Sequence, residues 1–307
     1  MFHGLMAGIL WGLDTVILGI ALAMTPFVST EQAIVLAPFV STFIHDACSA
    51  CWMFLYMAIK KQLANVWKAV KTKSGKYIIL AALLGAPIGM TGYVAAINYI
   101  GPGYTAIISA LFPAIGAVLS YIFLKEKMSK IQIIGLIVSI LAVIGLSYTP
   151  SGDAPANFWL GFFCALLCAF GWAAEAVICA YGLKDPDITD EQALQIRQTT
   201  SAICYAIVIL PIVSGWNFTL SVIPTVTSII ILVSALFGTA SYVMYYRAIT
   251  KIGATKAMAL NITYSAWAIV FAFVLLGTLP SISSIIFGII LICGSLVAAN
   301  GLPKFKK

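Results

Sequence analysis

A chain of 307 residues that is 62% hydrophobic and only 9% charged does not read as a water-soluble domain, which carries about a quarter charged residues. The net charge of +7 raises nucleic acid as a partner, but the basic residues lie in short segments between apolar runs, so no nucleic-acid partner is expected. The seven cysteines all fall inside apolar runs, which predicts packing thiols without a disulfide or a metal site; Cys48-x-x-Cys51 has no further Cys or His ligand nearby in sequence. No basic stretch precedes the first apolar run and no small-residue cleavage site follows it at 25–30, so it is expected to span the membrane and not to serve as a signal peptide.

A hydrocarbon core about 30 Å thick takes about 20 apolar residues of helix. Ten such runs occur, near 3–24, 33–58, 77–98, 104–124, 131–148, 158–181, 192–213, 226–248, 256–276 and 282–300, here called spans 1 to 10. The fold class expected is an all-α integral membrane protein. In span 1, "LWGLD" places Trp11 and Asp14 three residues apart, on one helix face. In span 2, His45 and Asp46 are consecutive and so diverge by about 100°, which predicts one facing a cavity while the other packs. The loop 60–76 holds six lysines, and Leu63, Val66, Trp67 and Val70 recur at helical spacing. A short amphipathic helix is expected there, its apolar side in the headgroups and its lysines on an anionic lipid surface.

Span 3 carries Pro87 in "GAPIGM" and Tyr93; span 4 carries Pro113 in "ALFPAIG". Both prolines free backbone carbonyls and permit kinks, so they are hinge candidates, static kinks being the alternative. Span 6 contains "CAFGWAAEAV", with Trp172 and Glu175 again three residues apart. Span 7 brings Arg197, span 8 Tyr242, Tyr245 and Tyr246, and span 9 Asn261, Tyr264 and Trp267.

Of the acidic residues only Asp14, Asp46 and Glu175 lie well inside spans, and of the basic ones only Arg197. A charge at the bilayer centre costs about 2.5–3.5 kcal/mol on insertion scales, and such groups face the bundle interior or a wet cavity and mark a substrate or proton path. A carboxylate beside aromatic faces suits a diffuse cation such as a choline-like ammonium, which the ring quadrupoles attract. The candidate cage is Trp11, Asp14, Tyr93, Trp172, Glu175, Tyr242, Tyr245, Tyr264 and Trp267, with Asn261 available for a substrate hydroxyl. Packing is the alternative for each aromatic, and a hydrogen bond to a neighbouring helix the alternative for Asn261. Arg197 offers a second account of Glu175, a structural ion pair or gate between adjacent helices. His45, Asp46 and Glu175 are the candidates for taking up and releasing a coupling proton, although an inside-negative potential alone drives cation uptake.

With the N-terminus inside, the loops at 60–76 and 125–130, the segment with Arg247, Lys251 and Lys256, Lys184 and the tail lysines 304, 306 and 307 are all cytoplasmic, and the outer loops have no Lys or Arg. This asymmetry is the positive-inside pattern and places both termini in the cytoplasm, despite the acidic inner loop with Asp185, Asp187, Asp190 and Glu191.

The halves repeat. "LWGLD" resembles "GWAAE", "TEQA" resembles "DEQA", and "YIGPGYTA" with "FLKEKMS" resembles "KIGATKAM" with "LLGTLPS". Two five-span units are expected, 1–148 and 149–307, and an odd number of spans inverts the second relative to the first, the architecture of secondary transporters with a midplane site. There is no phosphate loop, H-E-x-x-H or G-x-S-x-G motif. Neither an enzyme, a cofactor nor ATP-driven transport by this chain alone is expected.

Ten spans in two repeats, with "FPAIGAVLSYIFLKEK" closing span 4, resemble the drug/metabolite transporter superfamily in its EamA-type branch; Glu126 has no acidic counterpart in "LLGTLP". More narrowly, "LWGL", "HDACS", "APIGM", "GWAAE", "QIRQTTS", "YYRAI" and "TKAMALNITYSAW" are similar to bacterial choline permeases of the LicB type. That resemblance implies choline import for decoration of cell-surface polymers, through the bacterial cytoplasmic membrane. It implies a lining of Trp11, Trp172, Glu175, Tyr245, Tyr264 and Trp267. The competing expectations are an EamA-type exporter of amino acids or other metabolites, with Arg197 on a substrate carboxylate, and a non-transporting membrane protein whose buried charges only fix helix pairing.

Overall fold

The computed structural model describes residues 1–147, 157–184 and 188–300. Within them ten helices are long and apolar enough to cross a membrane: Phe2–Leu22, Glu31–Ile59, Lys73–Gly101, Tyr104–Leu124, Lys130–Ser147, Phe158–Gly182, Asp190–Ile212, Val226–Ile252, Ala254–Leu276 and Ile282–Asn300. These are spans 1 to 10 in the expected order. Their ends are fixed by local chemistry. Thr30 accepts from Ala33 N (3.0 Å) at the start of span 2, Thr72 from Gly75 N (2.9 Å) at the start of span 3, and Thr189 with Gln192 forms a capping box at span 7, each satisfying amides that the helix leaves free. Asp185, Asp187 and the tail lysines 304, 306 and 307 lie outside the described residues.

Spans 1, 2, 8 and 9 form one bundle, with span 1 against spans 8 and 9 and span 2 against span 8; spans 3, 4, 6 and 7 form another, with span 6 against spans 3 and 4 and span 7 against span 3. Spans 2 and 7 join the bundles, and spans 5 and 10 pair to one side. Each pairing becomes another when every span number moves by five. The 5–10 seam is close because it is made of small residues: a Cβ at Gly135 would lie 2.6 Å from Ala298 N, and Ser139 and Ser295 share a hydrogen bond of 3.2 Å. Small residues let helices approach where lipid supplies no hydrophobic drive.

The buried apolar residues fall into unequal groups at the two ends. Around the lysine-rich end one cluster, including Met57, Ile78, Leu124, Cys179, Leu194, Ile249 and Met258, joins both bundles. At the opposite end Phe27, Val40, Leu210 and Ile231 belong to a cluster of spans 1, 2, 7 and 8, while Ala96, Ile100, Ile108 and Ala165 form a separate one of spans 3, 4 and 6.

Spans 4 and 9 are both broken, at Ala110–Leu111 and at Ile262–Thr263. Pro113 therefore stands at the start of a new helical segment, Phe112–Leu119, where its missing N–H costs nothing, instead of kinking a continuous helix. Pro87 lies in a π-helical turn, Leu84–Ile88. The amphipathic helix forms at Leu63–Lys71. Contrary to the expectation of an apolar side in the headgroups, Leu63, Val66 and Val70 pack on the large core cluster; Trp67 is left outside, 65% exposed, with Lys71 Nζ 5.1 Å from its ring centre. The ends of spans 3 and 7 offer that helix a protein surface first.

Candidate functional site

Between the two bundles lies a cavity of about 130 Å³, roughly ten times what one water needs. Spans 1 and 2 line it with Trp11, Asp14, Leu18, Thr42, His45 and Asp46; spans 3, 4, 6 and 7 with Ala86, Met90, Phe112, Trp172, Glu175, Ala176 and Arg197. Spans 8 and 9 close it with Ser241, Tyr242, Tyr245, Tyr246, Asn261 and Tyr264. Its wall is thus built from eight spans.

The aromatic rings form two groups, one around Trp11 and Tyr242 and one around Trp172. Trp11 meets Tyr242 edge-on at 5.0 Å between centroids and Tyr264 at 6.5 Å, and Phe112 meets Trp172 at 5.9 Å. Edge-to-face contacts of this kind are favoured by the ring quadrupoles. Of the expected cage, Tyr93 is not on the wall but tilts against Trp172 from behind at 5.6 Å. Nor is Trp267 on the wall: it packs over Gly12 of span 1, with its Nε1 buried and unpaired. Phe112 was missed by sequence reasoning, although its place just after the break in span 4 matches that of Tyr264 in span 9.

The charged groups form one chain across the cavity. Asp14 Oδ1 is 3.2 Å from His45 Nε2, and His45 Nδ1 is 3.3 Å from Asp46 Oδ1. Asp46 Oδ2 lies 3.5 Å from Arg197 Nη1, and Arg197 Nε donates to Glu175 Oε1 at 2.8 Å. Ser234 donates to Asp14 and Ser201 to Asp46. His45 and Asp46 both reach the cavity, against the expectation that one of them packs, because the imidazole leans back over its neighbour's carboxylate. Glu175 is the partner of Arg197 and also a wall residue, so the ion pair and the cavity coexist. Each guanidinium nitrogen has a partner: besides Nε on Glu175, Nη1 donates to Gln198 Oε1 and Nη2 to Tyr242 Oη, each at 2.8 Å, and Cζ lies 4.4 Å from the Tyr242 ring centre. Three carboxyl groups therefore surround one guanidinium and one imidazole.

Two glycines make room for these carboxylates. A Cβ at Gly85, inside the π turn of span 3, would collide with the Glu175 carboxyl group, and one at Gly238 of span 8 would fall 2.8 Å from both Asp14 Oδ2 and His45 Nε2. Asn261 ends the first segment of span 9, and its Oδ1 is buried at the cavity without a hydrogen-bond partner. No group of three or more His, Cys, Asp or Glu suited to a metal ion occurs among the described residues.

A two-bundle fold of membrane-spanning helices around a polar-aromatic cavity defines a multi-pass membrane protein. The profile of the EamA-like transporter family matches residues 1–148 and again 159–300. This chain belongs to the EamA-like transporter family. It is similar to Protein LicB of Haemophilus influenzae, 35% identical over 190 residues that cover 62% of this chain and 63% of that protein. A crystal structure of a protein only 15% identical superposes with a TM-score of 0.72, covering 97% of this chain and 95% of the other, a likeness of fold alone.

Proposed function

We propose that this protein is a secondary transporter that imports choline or a close quaternary ammonium compound across a bacterial cytoplasmic membrane. Two five-span units, 1–148 and 149–307, inserted in opposite senses with both termini in the cytoplasm, carry the substrate by alternating access. The observation that carries the reading is the cavity itself: aromatic rings on several sides and carboxyl groups in excess over bases. A quaternary ammonium has no N–H to donate, so it is held by ring quadrupoles and by net negative charge without needing a direct hydrogen bond. The family match in each half and the pairing of spans in steps of five support the repeat. The similarity to LicB-type permeases supports the substrate class.

Trp11, Trp172, Tyr242, Tyr245 and Tyr264 form the cage in this reading, with Tyr93 and Trp267 backing it, and Asp14 and Glu175 supply the field. Asn261 Oδ1 accepts the substrate hydroxyl and thereby gains the partner it lacks. His45, between Asp14 and Asp46, is the group through which a proton couples to transport; the membrane potential adds about 2.3 kcal/mol per 100 mV for each positive charge. Pro87 and the break before Pro113 serve as hinges. The alternative, an exporter of amino acids with Arg197 on the substrate carboxylate, is disfavoured because every arm of that guanidinium is already engaged.

Thermal stabilisation of the purified protein tests the reading, since a ligand that binds the folded state stabilises it by RT ln(1 + [L]/Kd). Choline is expected to raise the melting temperature, and its neutral isostere 3,3-dimethyl-1-butanol to leave it unchanged. Ethyltrimethylammonium, which lacks the hydroxyl, should bind about tenfold more weakly than choline, the weight of one hydrogen bond left unmade, and Asn261→Ala should erase that difference. Equal effects of choline and the isostere would remove the cationic substrate.

A further inference from the structure

Spans 4 and 9 share backbone features at a constant offset of 152 positions. Gly101 and Gly253 share positive φ angles of 77° and 88° with ψ of 165° and 160°. Lys125 and Gly277 are both left-handed at the far ends, with φ 59° and 67°. The breaks at Ala110–Leu111 and Ile262–Thr263 keep the same offset. Within this shared backbone pattern Glu126 corresponds to Thr278.

Glu126 reaches from the turn after span 4, in one bundle, to the start of span 9, in the other. Its Oε1 accepts from Ala254 N at 3.0 Å and its Oε2 from Thr255 N at 3.1 Å. A carboxylate at a helix N-terminus meets free amides and the positive end of the helix dipole. Gly253 lets it come close, since a Cβ there would stand 2.7 Å from Oε1. At the opposite end Thr278 uses its amide on Ala272 O (3.4 Å), and a Cβ placed on Gly101 would meet nothing within 4 Å. One junction is filled by an acid, and at its counterpart a threonine stands in that acid's place.

The apolar packing has the same polarity. One large cluster joins both bundles around the Glu126 end, whereas the other end holds two smaller ones, of spans 1, 2, 7 and 8 and of spans 3, 4 and 6, and the first segment of span 9 packs on the second segment of span 4. We infer that Glu126 is a one-sided latch that holds the lysine-rich end closed, so that the empty protein rests open toward the lysine-poor end and each turnover must release this carboxylate from span 9. Glu126 is a positioning residue, remote from the cavity. The inference rests on alternating access and is independent of which molecule is carried.

Distances between spin labels on the full chain in lipid nanodiscs, without substrate and with the native cysteines replaced, test it. Labels at Lys127→Cys and Lys251→Cys report the lysine-rich end, and labels at Asn98→Cys and Thr278→Cys the other. Glu126→Ala should raise the population with a longer distance at the lysine-rich end by about tenfold or more, the weight of two charge-assisted hydrogen bonds, with a matching shortening at the other end. With the lysine-rich labels in place, Glu126→Gln, which keeps the side-chain length and an acceptor oxygen but loses the charge, should also lengthen their distance, by less than Glu126→Ala does. If Glu126→Ala does not fold, Glu126→Gln carries the test alone. Distributions unchanged from the parent in a folded variant overturn the latch. Failure of choline to stabilise the protein would leave these distances unaffected, so the two readings fail separately.

Discussion

Arg197 sits among more carboxylate than it can neutralise, and this sets the order in which substitutions there do harm. Removing one partner of a buried pair leaves the other uncompensated at a cost of about 3–5 kcal/mol. Arg197→Gln strands both Glu175 and Asp46, whereas Glu175→Gln leaves the guanidinium its contacts with Asp46, Gln198 and Tyr242. Arg197→Gln is therefore expected to lower the melting temperature of the purified protein further than Glu175→Gln, and the double variant Glu175→Gln/Arg197→Gln to recover part of the loss. Strict additivity of the two changes would show that they do not act as a pair. The sequence made both partners visible, because ionisable residues in apolar runs are few. Ser201, Ser234 and Gln198 escaped, because small polar residues are common in spans and nothing in their spacing marks those that face a carboxylate.

Helical elements contribute through their irregularities. The π turn at Leu84–Ile88 in span 3 places Gly85 against the Glu175 carboxyl group, and Gly171 of span 6 lies so near Leu84 O that a Cβ there would come within 2.5 Å. Such widened turns gather at functional sites. Gly85→Ala is expected to displace Glu175, weakening choline binding measured by calorimetry at least tenfold while the chain still elutes as a folded species; unchanged affinity would mean that the carboxylate has room to move aside. The existence and order of the spans were legible because length and apolarity are what a bilayer demands. The π turn was not, since "GAPIGM" announces a disturbed helix without specifying which way its carbonyls turn. The breaks in spans 4 and 9 were equally hidden, as no charged or turn-forming pair marks Ala110–Leu111.

For the molecule as a whole, the partners of each span were out of reach of sequence reasoning. A face buried against another helix and a face in lipid are made of the same residue types, so helical periodicity does not distinguish them. What did show through were the paired aromatic and acidic residues of "LWGLD" and "GWAAE": Trp11, Asp14, Trp172 and Glu175 line the cavity from opposite bundles. Reconstituted protein is expected to accumulate choline in proteoliposomes with a negative interior. An added inward proton gradient should raise the rate if His45 couples a proton, and His45→Gln should abolish only that increment. Accumulation that ignores both voltage and pH would point to passive exchange.

The uneven placement of basic residues has a practical consequence for such measurements. Trypsin cuts only after lysine and arginine, and the segments 23–30, 148–157, 214–225 and 277–281 contain neither, whereas the opposite end displays Lys60, Lys61, Lys68, Lys125, Lys127 and Lys251. In sealed vesicles, chains presenting the bare end to the medium should survive the protease intact and those presenting the other end should be nicked, so one gel counts the two insertions before any flux is assigned a direction.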